Sequence, residues 1–165
     1  MAKKKPGVKF DITKLKVIQS ALKKIVDKHY VVRVGIFGEK SARPQDKKQG
    51  PTNAEIGFIH EMGSASLNIP RRSFLWDTFT YHGGEMAATL KPALDALFKK
   101  GKVEEYLKLV GTAARNLVGE AFDTGGWGAW PPNAPATIEA KGSDKPLWDS
   151  GQLSQAISSR TIQAS

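Results

Sequence analysis

The stretch YVVRVGIF at residues 30–37 constrains the fold of this chain more than any other. It is β-branched and aromatic with Arg33 as its lone charge, which is typical of a strand largely buried in a sheet. Much later, residues 157–162 suit either the end of a short helix or a strand. If this run pairs with residues 31–37, the C-terminal segment is a structural strand, because sheet pairing needs a defined turn and register.

Between these runs, the spacing of apolar residues predicts helices. We expect a surface helix, capped by Asp11, with one buried stripe formed by Ile12, Leu15, Ile18, Leu22 and Ile25. A capping box at residues 52–55 predicts a short helix that stops at Gly63.

A longer helical pattern covers residues 76–100, and we expect it to bend or break at Gly83-Gly84 and at Pro92. After Gly101, a broad apolar stripe over residues 103–121 predicts a second helix that packs on the first as an antiparallel hairpin. The predicted fold class is therefore α+β: a small antiparallel or mixed sheet packed against an N-terminal amphipathic helix and a long helical hairpin.

The length of 165 residues predicts a single domain, residues 1–165, with a basic flexible tail at residues 1–10 and two exposed loops. The first loop, residues 38–51, contains almost nothing that could enter a core. The second, residues 124–136, is rich in Gly and Pro and carries Trp127 and Trp130. This second loop either packs on the domain or waits for a partner.

The net charge of +9 is concentrated at one end of the chain. Residues 1–28 hold nine Lys against two Asp, a net charge of +7, whereas the remaining residues carry 16 basic and 14 acidic groups. A polyanion near the N-terminal segment is one expectation, since Lys clusters attract phosphate without regard to sequence. A solvated helix face with a Lys-rich tail is the alternative.

The absence of Cys excludes disulfides, thiolate metal sites and a Cys nucleophile. No apolar run approaches the roughly 20 residues that span a bilayer, and no secretory signal pattern follows the first residues. We therefore expect a soluble, unexported protein of a reducing cytoplasm, without a membrane partner.

The residues that could perform catalysis form no recognisable constellation. His60-Glu61 lacks the second His, four residues on, that a zinc protease helix requires, because Ser64 stands there. Ser150 does not lie in a nucleophile elbow, and the sequence assigns no His as its base. Residues 125–128 lack the Lys-Ser/Thr ending of a phosphate-binding loop. We predict no enzyme, no cofactor and no metal, and an enzyme using Ser150 or His60 is the weakest hypothesis.

Three stretches carry a more specific signal in combination: VVRVGIF (31–37), NAEIGFIHEMGSASLNIPRRSFL (53–75) and PLWDSGQLSQAIS (146–158). In this order they resemble the phage virion-morphogenesis family, the tail-completion proteins of the neck between head and tail. That family has a V-x-V-G-I strand, an A-x-x-x-E-x-G helix, an I-P-x-R-x-F-L segment and a closing W…T-x-x-x-K…P-L-x-D-T-G-x-L-x-x-S-I pattern. The counterparts in the closing pattern include Trp130, Thr137 and Lys141, whereas Ser150 replaces the usual Thr and Ala156 the usual Ser.

The resemblance implies a virion protein, assembled in the host cytoplasm, that forms a ring with copies of itself. A hexamer is expected. The ring would lie between a head-side connector or stopper protein and a tail terminator or tail tube protein, with genomic DNA passing through its lumen. A tail terminator of the same neck region is an alternative, and a sequence-independent DNA-binding protein is another.

A joining ring needs surfaces that order on assembly rather than chemistry. Candidate positions at subunit interfaces are Arg43, Lys47, Lys48, Trp127 and Trp130. Candidate contacts to DNA or to an acidic partner are Lys3, Lys4, Lys5, Lys9, Arg71 and Arg72. For the tryptophans, packing over the domain's own helices is the alternative, and for the basic residues ordinary solvation is.

Overall fold

A computed structural model of the protein describes residues 12–43 and 50–163, apart from the side chains of residues 95 and 96. The elements in chain order are α1 (Ile12–Asp27), β1 (Tyr30–Ile36), α2 (Gly38–Ser41), α3 (Asn53–Met62), α4 (Trp76–Thr89), α5 (Lys91–Lys100), α6 (Val103–Thr124), α7 (Pro135–Lys141), α8 (Gln152–Ala156) and β2 (Ile157–Gln163). The predicted α+β class is confirmed. Over the described residues, no helix is both long enough and apolar enough to span a bilayer.

The sheet joins two segments from opposite parts of the sequence. β1 and β2 pair antiparallel, from Tyr30 opposite Gln163 to Ile36 opposite Ile157. Of the two alternatives for residues 157–162, the strand is therefore the observed one. Val32 and Val34 of β1 pack on the core, so the sheet covers the long helix α6. The prediction that a terminal strand completes the domain is confirmed.

Helix α6 organises the core, which divides into two clusters near its two ends. The N-terminal cluster consists of Ala21, Leu97, Val103 and Leu107. The C-terminal cluster consists of Phe74, Val118, Phe122, Leu153 and Ile157. At 1.5 Å per residue, the two clusters lie about 22 Å apart along the helix axis. α1 and α5 therefore belong to one end of the fold, and α3, α8 and the start of α4 to the other.

Between the clusters, α6 approaches the sheet closely at Gly111. A Cβ at this position would lie 2.8 Å from Ser159 Oγ of β2, a separation that side chains do not tolerate. The absence of a side chain thus lets the helix lie directly on the strand, which is the packing role expected of a Gly inside a long helix.

The predicted interruption of the helix over residues 76–100 is confirmed at one of its two positions. The chain breaks between α4 and α5 at Leu90, and Pro92 lies in the first turn of α5, where its missing N–H is not needed. At Gly83-Gly84 a break is wrong, because α4 runs through both residues without interruption, and the alternative of a bend there stays a prediction. α4 and α5 both contact α6, as the predicted hairpin requires.

Helix α1 forms as predicted, but the prediction that its large apolar residues form one buried stripe is wrong. Within α1, whose side chains are all described, only Ala21 is fully buried, and Ile25 is half-buried. Ile12, Leu15 and Leu22 of the predicted stripe are between 40% and 64% exposed. The small Ala21 faces α5 and α6 and admits close packing there, which rotates the larger residues toward solvent. The predicted cap, Asp11, lies outside the described residues.

The short helix α3 begins as its sequence predicts. The Thr52 side chain accepts a hydrogen bond from the Glu55 main-chain N–H, and the Glu55 carboxylate accepts one from the Thr52 main-chain N–H at 2.7 Å. The bond from the Thr52 main-chain N–H, and then a second bond from the Thr52 hydroxyl at 2.9 Å, hold the pKa of Glu55 below its usual value. Gly63 follows the last residue of α3 with φ at 74°. A Cβ there would lie 2.9 Å from the Arg71 main-chain nitrogen, so both the backbone angle and the close approach favour Gly at this position.

Candidate functional site

The carboxylate of Glu61, near the end of α3, holds the start of α4. Its Oε1 accepts hydrogen bonds from Ser73 Oγ at 2.6 Å and from the Trp76 main-chain nitrogen at 2.8 Å. Its Oε2 accepts from the main-chain nitrogens of Phe74 at 2.9 Å and Leu75 at 3.0 Å. Four donors at a helix N-terminus thus share one anion, which also complements the helix dipole. The sequence places Glu61 in a possible zinc motif and in the helix that resembles the family, but this role was not predicted from it.

Arg72 ties the same region to the loop after α6. Its Nε donates to the carbonyl of Pro131 at 2.9 Å and its Nη2 to that of Pro132 at 2.8 Å, while its main-chain N–H donates to the His60 carbonyl. The residue is 5% exposed, and this burial lowers the pKa of Arg72. The predicted contact of Arg72 with DNA or an acidic partner is therefore not favoured by this geometry, which gives the side chain a structural role.

Arg71 has a different environment from its neighbour. It is half-exposed and forms a two-point ion pair with Asp77, at 2.7 Å and 2.8 Å. The hydrogen bonds that Arg71 donates to Asp77 raise the pKa of Arg71. Part of its charge is thus already balanced within the chain, and its contact with an outside partner stays a prediction.

A cleft of about 740 Å³ lies beside these residues and is lined by several of the motif positions. Residues far apart in sequence meet there: His60 from α3, Arg72, Thr137 and Lys141 from α7, and Ser150 before α8. Lys141 Nζ donates to the Lys145 carbonyl at 3.0 Å, which closes the turn after α7. Sequence reasoning singled out each of these residues separately but did not predict that they share one cleft.

The titration of His60 is strongly perturbed in this cleft. Burial, and then the positive charges of Arg72 and Lys141, lower the pKa of His60 from 6.5 to about 4. Its Nδ1 is buried and has no hydrogen-bond partner among the described residues. A base this weak is poorly matched to proton abstraction near neutral pH. Ser150 lines the same cleft, but among the described residues no hydrogen bond joins it to His60.

Lys141, which lines the same cleft, also has a perturbed pKa. Desolvation lowers the pKa of Lys141, and the nearby charge of Asp149 opposes that change. Among residues 12–43 and 50–163, no group of three or more His, Asp or Glu side chains has the arrangement of a metal site.

Both tryptophans of the loop at residues 124–136 pack on the domain. Trp127 stacks on His82 with ring centroids 3.6 Å apart and an angle of 12° between the rings. Trp130 meets Phe122 edge-on at 5.7 Å, and its Nε1 donates to the Ser73 carbonyl at 3.3 Å. Of the two alternatives for this loop, packing on the domain is the one observed. A subunit-interface role for Trp127 and Trp130 stays a prediction.

The other predicted positions are only partly within the described chain. Arg43 donates from Nε to Gln152 Oε1 at 3.2 Å, so it links the end of the first loop to α8. The remaining positions lie outside the described residues: Lys3, Lys4, Lys5, Lys9, Lys47 and Lys48.

Two exposed apolar surfaces were not predicted from the sequence. The first, the α1 face, consists of Ile12, Leu15, Leu22 and Val26, which are between 40% and 66% exposed. The second, the α3–α4 patch, consists of Phe58, Met62 and Trp76, which are between 61% and 72% exposed. A groove of about 570 Å³, lined in part by Met62 and Trp76, opens in this patch. The spacing of Phe58 and Met62, four residues apart on one helix, is the signal that could have revealed it.

Comparison of the chain with protein-family models, with curated proteins and with solved structures found no match.

Proposed function

We propose that this protein is a structural subunit of a phage neck, a tail-completion protein that forms a ring between the head connector and the tail tube. One observation supports the proposal: the three stretches that resemble the virion-morphogenesis family are distant in sequence but contact one another in the fold. Gly35 and Ile36 of the first stretch pair with Ser158 and Ile157 of the last, and Gly57 of the second lies against Ile36 and Leu153. The motif residues thus act on one another, as expected where a pattern specifies a scaffold.

The surface chemistry supports the same proposal. Large apolar side chains are exposed in two separate areas, the α1 face and the α3–α4 patch. Contiguous exposed apolar surface of this kind marks sites of protein association. A subunit that is completed only by its neighbours would expose such surfaces when alone. The proposed neighbours are further copies of this chain, a head-side connector or stopper protein, and a tail terminator or tail tube protein around the DNA.

The principal experiment is electron microscopy of particles from a phage that lacks this protein. Accumulation of separate filled heads and complete tails, reversed when the protein is supplied from a plasmid, is the expected result. Normal virions would contradict the proposal. Tails of irregular length would instead indicate a tail terminator, since a protein that ends tube growth is needed for a defined length.

A sequence-independent DNA-binding protein is the second candidate, favoured by the net charge of +7 on residues 1–28. It predicts duplex binding by the isolated protein that weakens steeply with salt. The binding would be lost when Lys3, Lys4, Lys5 and Lys9 are changed to Gln. Binding that these four changes leave intact would contradict this alternative.

The cleft allows a direct test of the non-enzymatic proposal. Ser150→Ala removes the hydroxyl of Ser150 from the cleft and leaves the hydrogen bonds described above intact. If the protein is a scaffold, phage carrying Ser150→Ala should assemble with normal yield. Loss of infectious particles with an intact, correctly assembled neck would instead favour an enzyme.

A further inference from the structure

We infer that neighbouring copies of this chain join head to tail, with the α1 face of one subunit seated on the α3–α4 patch of the next. The inference rests on the ring proposed above and identifies the two surfaces that build it. Its basis is the position, the shape and the charge of the two exposed apolar surfaces.

The two surfaces lie at opposite ends of the subunit. α1 packs on the N-terminal cluster of the core, around Val103 and Leu107 of α6. Gly57 of α3 and the start of α4 pack on the C-terminal cluster, around Phe74 and Leu153. About 22 Å of helix α6 separates the clusters. One subunit therefore offers its neighbours two distinct apolar surfaces, which is the requirement for a contact between unlike surfaces.

The α1 face consists of four apolar side chains with Gln19 among them, and the described residues leave it largely exposed. With about 100° of rotation per residue, Ile12, Leu15, Leu22 and Val26 fall within a sector of roughly 80°. The buried face around Ala21 lies on another side of the helix, so packing within the subunit does not use the stripe. Large apolar side chains at this spacing form a ridge suited to a groove on a partner.

The α3–α4 patch offers such a groove. Met62 and Trp76 line a depression of about 570 Å³ whose floor includes Leu75 and Phe79. Phe58 lies one turn before Met62 on α3 and extends the apolar surface. Exposed aromatic residues and Met are the side chains most enriched in the centre of protein interfaces.

The charges around the two surfaces are opposite. α1 contains four Lys and one Asp, and Lys16 and Lys23 lie beside the apolar stripe. α3 and α4 contain four carboxylates and neither Lys nor Arg. Arg71 also lines the groove between them, but it is ion-paired with Asp77, so the patch keeps an excess of negative charge. Glu55 lies one turn before Phe58 and is exposed, and its carboxylate also accepts hydrogen bonds from Thr52 in the capping box. Glu61 and Asp77 are engaged by donors of the same chain.

These charges decide between the possible pairings. Two α1 faces in contact would bring Lys16 and Lys23 together with their counterparts, and two α3–α4 patches would bring Glu55 near its counterpart. Only the unlike pairing sets Lys against Glu. A contact between unlike surfaces repeats from copy to copy and closes into a ring when the rotation permits, whereas a like pairing stops at a dimer.

The absence of native Cys permits a direct test by disulfide cross-linking of the full chain. A variant carrying both Leu22→Cys and Phe58→Cys should give, on mild oxidation, a ladder of covalent oligomers on a non-reducing gel. Each single variant should stay monomeric on the gel, and so should the control that combines Leu22→Cys with Glu139→Cys, an exposed position on α7. Dimers formed by Leu22→Cys alone would overturn the inference in favour of a symmetric α1 contact.

A second measurement does not depend on disulfide geometry. Leu22→Glu damages the α1 face and Phe58→Lys damages the α3–α4 patch, and both positions are solvent-exposed, so the fold should be retained in circular dichroism. Each variant alone should associate at least tenfold more weakly than the unmodified protein. Their mixture should form a one-to-one heterodimer, because one intact surface of each kind remains. Mass photometry detects these species.

The outcomes separate the two proposals. If the unmodified protein forms rings that both variants leave intact, with no ladder, the interface inference is overturned and the ring proposal stands. If the unmodified protein stays monomeric at every concentration and is dispensable for virion assembly, and the double Cys variant gives no ladder, both are overturned.

Discussion

The most informative stability experiment replaces Glu61 by Gln. The glutamate carboxylate accepts four hydrogen bonds, from Ser73 Oγ and from the main-chain nitrogens of residues 74, 75 and 76, at 2.6 Å to 3.0 Å. Gln has nearly the same shape, but it has one acceptor oxygen and one NH₂ group. In either orientation of the amide, a donor then faces a donor at the start of α4, and the negative charge is lost.

The magnitude follows from the bonds that change. Hydrogen bonds to a charged group contribute about 1.5–3 kcal/mol each, and those to a neutral acceptor about half as much. A main-chain N–H that loses its acceptor lowers the free energy of unfolding by about 1 kcal/mol more, since the site is only partly buried. Glu61→Gln weakens two of the four bonds and abolishes two, and such contributions are not fully additive, so we expect it to lower the free energy of unfolding by at least about 3 kcal/mol.

The assay is equilibrium urea unfolding, followed by tryptophan fluorescence at two protein concentrations so that association does not contribute. The matched control is Glu120→Gln on the exposed side of α6, which should change the free energy of unfolding by less than about 0.5 kcal/mol. If Glu61→Gln is no more destabilising than this control, the claim that one carboxylate holds the start of α4 is refuted.

Three further results are expected. His60 is protonated near pH 6.5 in the unfolded chain but only near pH 4 in the folded chain. The free energy of unfolding should therefore fall as the pH is lowered from 6.5 toward 4. The expected loss is about 2 kcal/mol, after allowance for the partial solvent exposure of His60. Urea unfolding at pH 7 and pH 5 should show a smaller loss for His60→Gln, whereas His29→Asn at an exposed site should behave as the unmodified protein does. Gly126→Ala should lower the free energy of unfolding by about 3 kcal/mol, and the melting temperature with it, because φ is 66° and a Cβ would lie 2.3 Å from a Trp130 ring atom. Gly84→Ala should raise the free energy of unfolding by up to about 1 kcal/mol, since this exposed helical position has open space around it. An equal effect of the two glycine changes on the melting temperature would contradict the close packing assigned to Gly126.

The sequence predicts best those features whose cause is local. The capping box at Thr52 and Glu55 depends on four consecutive residues, and it forms as expected. The strand at residues 30–36 follows from its own β-branched composition, and Pro92 acts on the helix that contains it. Each of these features is fixed by neighbours in the chain, so reading along the chain is sufficient to find it.

Features that depend on distant partners were harder to predict. The apolar spacing of α1 shows that the helix is amphipathic, but not which of its apolar positions meet α5 and α6, and the small Ala21 was overlooked as the point of contact. The donors that surround Glu61 come from residues 73–76, after an intervening turn, so no short motif reveals them. The shared cleft of His60 and Ser150 likewise exists only after α3 and α8 pack together.

The pairing of β1 with β2 also affects the order of events during synthesis on the ribosome. Roughly 120 residues of chain lie between Ile36 and Ile157, so closing this pair is a late and slow step of folding. A nascent chain carries β1 long before its partner strand has been translated, and an unpaired apolar strand invites aggregation. The packing that joins α6 to the sheet therefore matures only after translation of β2, and an unfinished chain on the ribosome lacks the strand that completes its fold.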